Sequence, residues 1–421
     1  MHQKKCDVAV VGAGAIGLCV AVAIASAGRN VRVIDAGLVG GGSSHGNCGT
    51  ITPSHAPPLA APGMAATALR MMLAPDAPLY IRPRFDPLLW RWLWRLHGRC
   101  TPGAWSESAR AKAALLHDSR ARLADWVERF ALDCEFVESG EDYVFRDPRR
   151  FAQGRHEIPL LRELGIGVEM IDGLAYEALE PAMKPGVAGA IRFDGDAALR
   201  PDRYVAELAR LANSMGVAIV EQCPMQALGQ VGDRWRLMLP GGTLDATQVV
   251  LATGAWSPRL AHMIGLDWLR AVMQPGKGYS ITYDLPARIP RRPLVLRERA
   301  VCVTAWSSGY RLGSTMEFSG YDARLHPRRL GALERGAAEY LHEPVGPNVR
   351  EHWFGWRPMS VDDVPLIGEA PGQPGLWLAT GHGMMGIGMS AGTGQLVADL
   401  MTGQAPAIDP SPYRPSRFVR G

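Results

Sequence analysis

The sequence predicts an α/β protein of two domains, one built on a largely parallel sheet and the other on an antiparallel sheet. Three observations predict this fold class. A strand–glycine turn–helix–strand unit opens the chain, a strand–glycine loop–helix unit closes it, and alternating strand patterns lie between them. With 421 residues, the chain is long enough for two domains and a large buried core.

The opening unit consists of a strand at 8–11, a helix over about 16–27 and a strand at 31–34 that ends at Asp35. The turn before the helix has the form G-x-G-x-x-G and comprises Gly12, Ala13, Gly14, Ala15, Ile16 and Gly17. Such a turn brings its backbone close to a pyrophosphate, and an acid about 20 residues further on binds ribose hydroxyls. We therefore predict a dinucleotide site that includes Asp35 and Ala36, with an ordinary structural turn as the alternative.

A second glycine-rich loop follows at residues 40–49, where five of ten residues are glycines. This composition excludes a regular helix or strand and indicates a backbone that runs close to a bound group. The predicted contacts in this loop are Ser43, Ser44, Asn47, Cys48 and Gly49.

The closing unit consists of a strand at 376–379, a glycine loop at 380–388 and a helix at 390–400. A helix that begins after such a loop presents unpaired N–H groups and the positive end of its dipole. We predict that this loop contacts the same bound group through Gly381, His382, Gly383, Met384, Met385, Gly386, Ile387 and Gly388.

Between the two units, the apolar periodicity predicts helices at 104–132, 203–215 and 328–341. Residues 234–252 are typical of a β-meander, and residues 276–283 and 300–318 alternate like antiparallel strands. These segments supply the antiparallel sheet of the second domain.

Composition excludes several classes of protein. The net charge is only +4, and no basic run with interleaved aromatic residues indicates binding of nucleic acid. Seven cysteines without a C-x-x-C pair argue against a disulfide framework and against a zinc or iron–sulfur site, so no metal is expected. Free thiols favour a reducing, cytoplasmic location, and no apolar run is long enough to predict a transmembrane helix.

These motifs together resemble the D-amino-acid oxidase superfamily of FAD-dependent oxidoreductases. The resemblance is carried by the first turn with its acid, by the loop at 43–49, by residues 251–257 (LATGAWS), and by the C-terminal sequences GWRP at 355–358, DVPLIG at 363–368 and TGHG at 380–383. The motifs cover residues 7–400. Within the superfamily, the chain looks most like bacterial dehydrogenases of D-amino acids, including D-proline and D-hydroxyproline.

The resemblance implies a Rossmann-type, glutathione-reductase-like FAD domain formed by residues 1–85, 185–255 and 350–421. A substrate domain like that of D-amino-acid oxidase would comprise residues 86–184 and 256–349. It also implies FAD contacts at Met225, Ala252, Thr253, Gly254 and Trp256. Some members of the superfamily attach FAD through a cysteine after the Arg-Pro pair, and Met359 stands at that place here, so non-covalent FAD is expected.

The implied activity is oxidation of a small D-amino or cyclic imino acid, with D-proline or D-hydroxyproline favoured. A hydride passes from Cα to flavin N5 and leaves an imine. Arg357 is expected to bind the substrate carboxylate, because a guanidinium contacts both carboxylate oxygens, although an ordinary ion pair is the alternative. Tyr310 is the candidate for a second contact and packing is its alternative. His45, His55 and His382 could assist amine deprotonation or only bind the backbone.

Three other functions fit parts of the sequence. A sarcosine- or glycine-type oxidase would use the same fold and produce peroxide, and a non-catalytic FAD subunit would only pass electrons within a complex. A nicotinamide-dependent dehydrogenase shares the first motif but does not predict the second glycine loop before the C-terminal helix.

The electron acceptor is expected to be external to the chain: a quinone, oxygen or a partner protein. Trp90, Trp92 and Trp94, with Arg91 and Arg95, could form a peripheral contact with the inner face of the membrane. Ordinary packing of these tryptophans on the core is the favoured alternative.

Overall fold

The computed structural model describes residues 4–64 and 77–419. In this part of the chain, strands form an eight-stranded sheet, a nine-stranded sheet and a two-stranded pair.

The strands are β1 (Lys4–Val11), β2 (Val31–Ile34), β3 (Thr50–Ile51), β4 (Leu79–Ile81), β5 (Glu141–Phe145), β6 (Glu169–Asp172), β7 (Gly189–Phe193), β8 (Ala197–Ala198), β9 (Ala218–Val220), β10 (Ala227–Val231), β11 (Arg234–Leu239), β12 (Gly242–Leu251), β13 (Met273–Tyr283), β14 (Leu294–Leu296), β15 (Val301–Trp306), β16 (Gly309–Phe318), β17 (Val349–Ser360), β18 (Leu366–Glu369) and β19 (Leu376–Thr380). The α-helices are α1 (Ala15–Ser26), α2 (Pro87–Gly98), α3 (Pro102–Arg129), α4 (Pro148–Gly154), α5 (Ile158–Glu163), α6 (Gly173–Leu179), α7 (Pro201–Ser214), α8 (Ser257–Leu260), α9 (Leu269–Val272), α10 (Pro327–Tyr340) and α11 (Ser390–Thr402).

The first sheet has the order β10-β11-β12-β1-β2-β9, and β19 pairs with both β12 and β18. Strands β12, β1, β2 and β9 are parallel to one another, as the opening unit predicts. Helix α1 is mostly buried and packs closely against α11, since a Cβ on Gly394 would lie 2.6 Å from the backbone of Cys19. The two predicted glycine-led helices therefore lie side by side.

The second sheet has the order β17-β13-β16-β15-β14-β5-β7-β6, with β4 paired to β16. Its long strands β17, β13, β16 and β15 are antiparallel to one another. Helix α10 covers one face of this sheet, where Tyr283 donates a hydrogen bond to Glu334. The opposite face meets the loops of the first sheet, because Arg311 of β16 donates to the carbonyl oxygens of His45 and Asn47.

The predicted α/β fold class is confirmed, and the predicted helices and strands outside the undescribed segments lie within a few residues of the observed ones. Three strands, β4, β7 and β17, belong to the second sheet. The predicted domain ranges instead place all or most of the residues of these strands in the FAD domain. The predicted domain boundaries themselves stay a prediction.

The tryptophan-rich segment forms helix α2, which Asp86 caps by accepting a hydrogen bond from Leu89 N. Trp92 is fully buried and donates to the carbonyl oxygen of Met359, as packing on the core predicts. Trp90 and Trp94 are 56% and 76% exposed. In residues 4–64 and 77–419, no helix is both long and apolar enough to cross a membrane.

Candidate active site

The first glycine turn contacts the end of β12 so closely that it excludes side chains. Gly12 has a φ of +113°, and a Cβ there would lie 2.4 Å from the carbonyl oxygen of Ala252. A Cβ on Gly17 would lie 1.8 Å from the carbonyl oxygen of Gly12. Both positions therefore require glycine, and the turn leaves its backbone exposed to a ligand above it.

Asp35 lies at the end of β2, where two backbone groups orient its carboxylate. Ala13 N donates to Oδ2 at 2.6 Å, and Gly37 N donates to Oδ1 at 2.7 Å. Ala36, beside it, is exposed. Met225 lies nearby in the buried cluster that contains Ile34. This arrangement fits the predicted contact of an acid with ribose hydroxyls at the edge of the turn.

Helix α1 begins without the side-chain cap that most helices have. Its N-cap residue is Gly14, and its first turn contains no acidic residue. Ser44 Oγ accepts from Ala15 N at 3.2 Å. A helix start whose own first turn contains no acid is suited to an anion such as a pyrophosphate.

The second glycine loop is fixed to both the second sheet and the C-terminal loop. Ser43 Oγ donates to the carbonyl oxygen of Trp356 at 2.7 Å. Asn47 accepts from Gly49 N at 2.7 Å and approaches the carbonyl oxygen of Met384 at 3.5 Å. The loops that sequence analysis assigned to one bound group are therefore adjacent in space.

Arg311 is the residue that holds the second loop in place, and its role was not predicted. The guanidinium is 1% exposed and donates to the carbonyl oxygens of His45 and Asn47 and to Thr282 Oγ1, at 2.7–3.0 Å. The strand pattern shows that Tyr310 and Arg311 cannot share a role. Neighbouring residues of a strand point to opposite faces, so only one of the two can face the loops.

Tyr310 lies on the other face of β16, in the apolar cluster covered by α10. It is fully buried, and its hydroxyl has no hydrogen-bond partner among the described residues. Burial raises the pKa of this phenol. The structure does not bring Tyr310 together with Arg357. The predicted contact of Tyr310 with the substrate therefore does not fit its position.

The C-terminal loop rests on a buried ion pair that was also not predicted. Lys112 Nζ lies 2.6 Å from Asp363 Oδ2, and both side chains are almost fully buried. A Cβ on Gly383 would lie 2.8 Å from Asp363 Oδ1, so the pair is directly beneath the loop. The sequence indicated a buried charge here only through the position of Lys112. This lysine lies one turn before Leu115 and Leu116, on the apolar face of a predicted helix.

The loop itself uses left-handed glycines at Gly381 and Gly383 and leads into α11. Gly383 N donates to the carbonyl oxygen of Pro358 at 3.0 Å, which connects the loop to the strand that carries Arg357. Helix α11 begins at Ser390, and its N-cap residue, Met389, gives no side-chain cap; its first turn contains no acid. Residues 384–388 thus lead to a second helix start that can face an electron-rich ring edge.

The three candidate histidines each have a partner in the protein. His382 is buried, its Nε2 lies 3.0 Å from Thr393 Oγ1, and burial lowers its pKa to about 3. His45 Nε2 lies 2.8 Å from Glu351, and His55 Nε2 lies 2.8 Å from Glu141. These contacts favour the structural alternative for all three.

Arg357 presents its guanidinium on the face of the second sheet that meets the two loops. It lies flat over Gly278, since a Cβ there would be 2.5 Å from Cζ. Nη1 donates to the carbonyl oxygen of Thr315 at 2.5 Å. No carboxylate lies within 4.0 Å of it among the described residues, and burial lowers its pKa. This argues against the ordinary ion pair and leaves a guanidinium that can receive a carboxylate.

Two thiols lie beside Arg357 on the same face. Cys48 Sγ occupies the space over Gly313, whose strand partner is Cys302. A hydrogen bond with Cys302, together with the nearby charges of Arg311 and Arg357, lowers the pKa of Cys48 despite burial. The same hydrogen bond and burial raise the pKa of Cys302.

The residues of the LATGAWS segment, at 251–257, lie in two different environments. Ala252 contacts the first turn, and Thr253 Oγ1 lies 2.8 Å from Ser257 Oγ at its end. Trp256 instead stacks on Tyr321, with 5.1 Å between ring centroids. Its contact with a cofactor stays a prediction, as does that of Gly254.

These features fit the parts of FAD. The first turn and α1 suit the pyrophosphate, and Asp35 suits a ribose. The loops at 43–49 and 381–388 contact each other and the strand that carries Arg357, a position that suits the flavin ring. No group of three histidine, cysteine or acidic side chains in the described residues could hold a metal ion.

Comparison with known proteins also indicates an FAD-binding protein. The family model for FAD dependent oxidoreductases matches residues 7–400. A D-amino acid dehydrogenase of Cereibacter sphaeroides is 32% identical over 98% of this chain and 95% of its own length. A D-amino acid dehydrogenase of Granulibacter bethesdensis is 30% identical over 98% and 99%.

Two solved structures show the same fold. The glycine oxidase of Geobacillus kaustophilus has a TM-score of 0.79 at 23% identity and covers 99% of this chain and 100% of its own. The L-proline dehydrogenase of P. horikoshii has a TM-score of 0.74 at 16% identity, with 99% and 98% covered. The fold, the glycine turn with its acid and the near-complete family match all agree: the chain belongs to the FAD dependent oxidoreductase family and uses FAD as its cofactor.

Proposed function

We propose that this protein oxidises small D-amino acids or cyclic imino acids, with substrates of the D-proline or D-hydroxyproline type favoured. The observation that carries the proposal is the guanidinium of Arg357, which faces the two loops without a carboxylate partner among the described residues. Relatives named D-amino acid dehydrogenase, at 30–32% identity over nearly the whole chain, support the substrate class.

Arg357 binds the substrate carboxylate through both oxygens and so fixes the position of Cα. The loops at 43–49 and 381–388, with the first turn and Asp35, hold FAD. Bound FAD supplies the hydride acceptor at N5. The positioned substrate loses its Cα hydrogen with two electrons, while the amine nitrogen donates its lone pair to form the imine.

The protein supplies little acid–base chemistry at this site. Among the described residues, the ionisable side chains that act on the guanidinium of Arg357 are the thiols of Cys48 and Cys302, and the thioether of Met316 lies 3.8 Å from Nη1. The substrate amine must therefore be neutral before oxidation, with its proton lost to water. Activity is expected to rise with pH toward the pKa of the substrate amine.

The direct test is anaerobic bleaching of the bound flavin by a panel of D- and L-amino acids, glycine, sarcosine, and both enantiomers of proline and hydroxyproline. D-Proline and other small D-amino acids are expected to bleach the flavin fastest. Fastest bleaching by sarcosine or glycine, with one peroxide per turnover in air, would identify an oxidase instead. No bleaching by any amino acid would indicate a non-catalytic FAD subunit.

The electrons then pass to an external acceptor, and we propose that helix α2 supplies the contact with a membrane that holds a quinone, at its cytoplasmic face. Trp90 and Trp94 are exposed there. Next to them is a surface groove of about 520 Å³, lined by Leu88, Arg91, Arg95, His262, Asp267, Trp268, Arg270 and Ala271. Exposed aromatic rings beside arginines suit an anionic interface.

Replacing Trp90 and Trp94 by serine is expected to reduce turnover with quinone in membrane vesicles and to spare turnover with a soluble dye. The control is Leu174→Ser, which removes an exposed apolar side chain of α6 that does not line the groove. Equal losses with both acceptors would contradict a docking role and favour oxygen or a soluble partner protein.

A further inference from the structure

Three glycines on the second sheet make room for larger side chains at the proposed substrate site. Gly278 of β13 and Gly355 of β17 are direct partners across the two strands. Gly313 of β16 pairs with Ser280, which lies on the same face as Gly278. All three are buried, and larger side chains occupy the space above each of them.

The side chain above Gly355 is the indole of Trp353. A Cβ on Gly355 would lie 2.1 Å from Cη2 of this ring, and a Cβ on Gly46 would lie 2.1 Å from Cδ2. The ring therefore bridges the second sheet and the second glycine loop. Trp353 is only half-buried, so these contacts do not cover the whole residue.

The indole lies close to the guanidinium of Arg357. Directly paired residues of antiparallel strands have Cβ positions about 5 Å apart. The guanidinium is 2.5 Å from the Cβ position of Gly278, and the tip of the indole is 2.1 Å from that of Gly355. The two groups are thus at most about 10 Å apart, which is close enough for one small amino acid to contact both.

Charged groups near the indole are already paired. Glu351, two residues before Trp353 on the same face of β17, lies 2.8 Å from His45 Nε2. Arg311 is 1% exposed and directs its donors to the second loop and to Thr282. A substrate with a second charge would lose its water shell against the ring without gaining a partner.

We propose that Trp353 forms the wall of the substrate pocket that selects an apolar or cyclic side chain. This inference rests on the proposed function, because it takes Arg357 as the carboxylate site. An apolar ring packed on the indole buries area on both partners, whereas D-alanine is too small to cover it. Trp353 is thus the determinant of preference among D-amino acids, and Arg357 is the determinant common to all of them.

The test compares kcat/KM of the FAD-loaded wild type, Trp353→Ala and Trp353→Phe for D-proline, D-valine, D-alanine, D-glutamate and D-arginine. Wild type is expected to prefer D-proline and D-valine. Trp353→Ala should lower kcat/KM for these two about 10- to 100-fold, mainly through KM, and for D-alanine less than about 3-fold. Trp353→Phe keeps an aromatic wall and should recover much of the loss.

A second measurement does not depend on turnover. Benzoate carries a carboxylate for Arg357 and a ring for the indole, so its Kd, read from the flavin spectrum, should rise at least about 10-fold in Trp353→Ala and less in Trp353→Phe. Phe85→Ala, which removes an aromatic ring that is 95% exposed, is the matched control and should change neither quantity. If Trp353→Ala does not fold, the Phe variant alone should still shift the ratio of D-valine to D-alanine.

Two outcomes overturn the inference alone: equal losses for D-alanine and D-proline, or a wild-type preference for D-glutamate or D-arginine. Wild type that is not bleached by any amino acid would overturn the proposed function and, with it, this inference.

Discussion

The nucleotide-binding edge of the first sheet and the substrate-facing side of the second sheet are built in opposite ways. At the first, Gly12 and Gly17 are glycines because backbone atoms occupy the space of a Cβ. At the second, Gly278, Gly313 and Gly355 are glycines because side chains from other segments lie over them. One site is made of backbone, and the other is made of side chains that meet only in the folded protein.

This difference determines how tolerant each site is to change. A backbone contact cannot move without moving a strand, so a substitution at the first edge should disturb the whole nucleotide site. A side chain over a glycine can be replaced by another, so substitutions on the second sheet should alter the substrate and leave FAD bound. The predictions that follow test this contrast.

The largest effect is expected for Gly12→Ala. The added methyl group would lie 2.4 Å from the carbonyl oxygen of Ala252, at a φ of +113° that alanine avoids. The turn must shift away from β12, and its backbone then no longer contacts the pyrophosphate. The variant should be isolated with less than about a tenth of the wild-type flavin content, as measured by absorbance after gel filtration.

The matched control is Gly28→Ala. Gly28 also has a positive φ, of +78°, but no atom lies within 4 Å of the added Cβ. It should lower stability by about 1 kcal/mol and retain FAD. Full flavin content in Gly12→Ala would show that the turn is not held by backbone contact.

The next largest effect is expected for Lys112→Met, beneath the C-terminal loop. Removing the lysine leaves the carboxylate of Asp363 buried without its cation, which should cost about 3–5 kcal/mol in the free energy of unfolding. Chemical denaturation monitored by flavin and tryptophan fluorescence measures this loss.

The double variant Lys112→Met with Asp363→Asn separates charge from packing. Asparagine tolerates the positive φ of residue 363, and the pair is then neutral. The double variant should be more stable than Lys112→Met alone. A double variant that is less stable than either single one would show that the ion pair does not act through its buried charge.

A smaller and more selective effect is expected for Arg357→Met. Loss of a charge-assisted contact to the substrate carboxylate costs about 1.5–3 kcal/mol, so KM should rise about 10- to 100-fold. Flavin content should stay near that of wild type, because the guanidinium is on the substrate side. Arg350→Met, which removes a paired and exposed arginine from the same strand, should leave KM unchanged. An unchanged KM in Arg357→Met would refute the assignment.

The same contrast explains what the sequence could and could not reveal. The turn at Gly12–Gly17, Asp35 and both glycine loops were predictable because their conformations are dictated by neighbours in the chain. Arg357 was identified by resemblance to a family motif. Local patterns place Arg311 and Lys112 on a strand and on an apolar helix face, but the partners of Arg311, Lys112 and Trp353 depend on strand register and helix packing, which no local pattern specifies.

Tyr310 shows the limit most clearly. Its residue type suited a carboxylate, but strand alternation places it beneath α10, and only the pairing of β16 with β13 fixes which of two neighbours faces the site. A one-residue shift of register would have exchanged Tyr310 and Arg311.

The smallest effect is therefore expected for Tyr310→Phe, which removes a buried hydroxyl that has no partner among the described residues. Stability should change by less than about 0.5 kcal/mol, because no hydrogen bond is lost. Tyr283→Phe is the control in the same cluster: its hydroxyl donates to Glu334 at 2.7 Å, so its loss should cost about 1–2 kcal/mol. Neither change should alter KM for D-proline. A KM that rises several-fold in Tyr310→Phe, but not in Tyr283→Phe, would place Tyr310 at the substrate after all and would mean that β16 pairs in a different register.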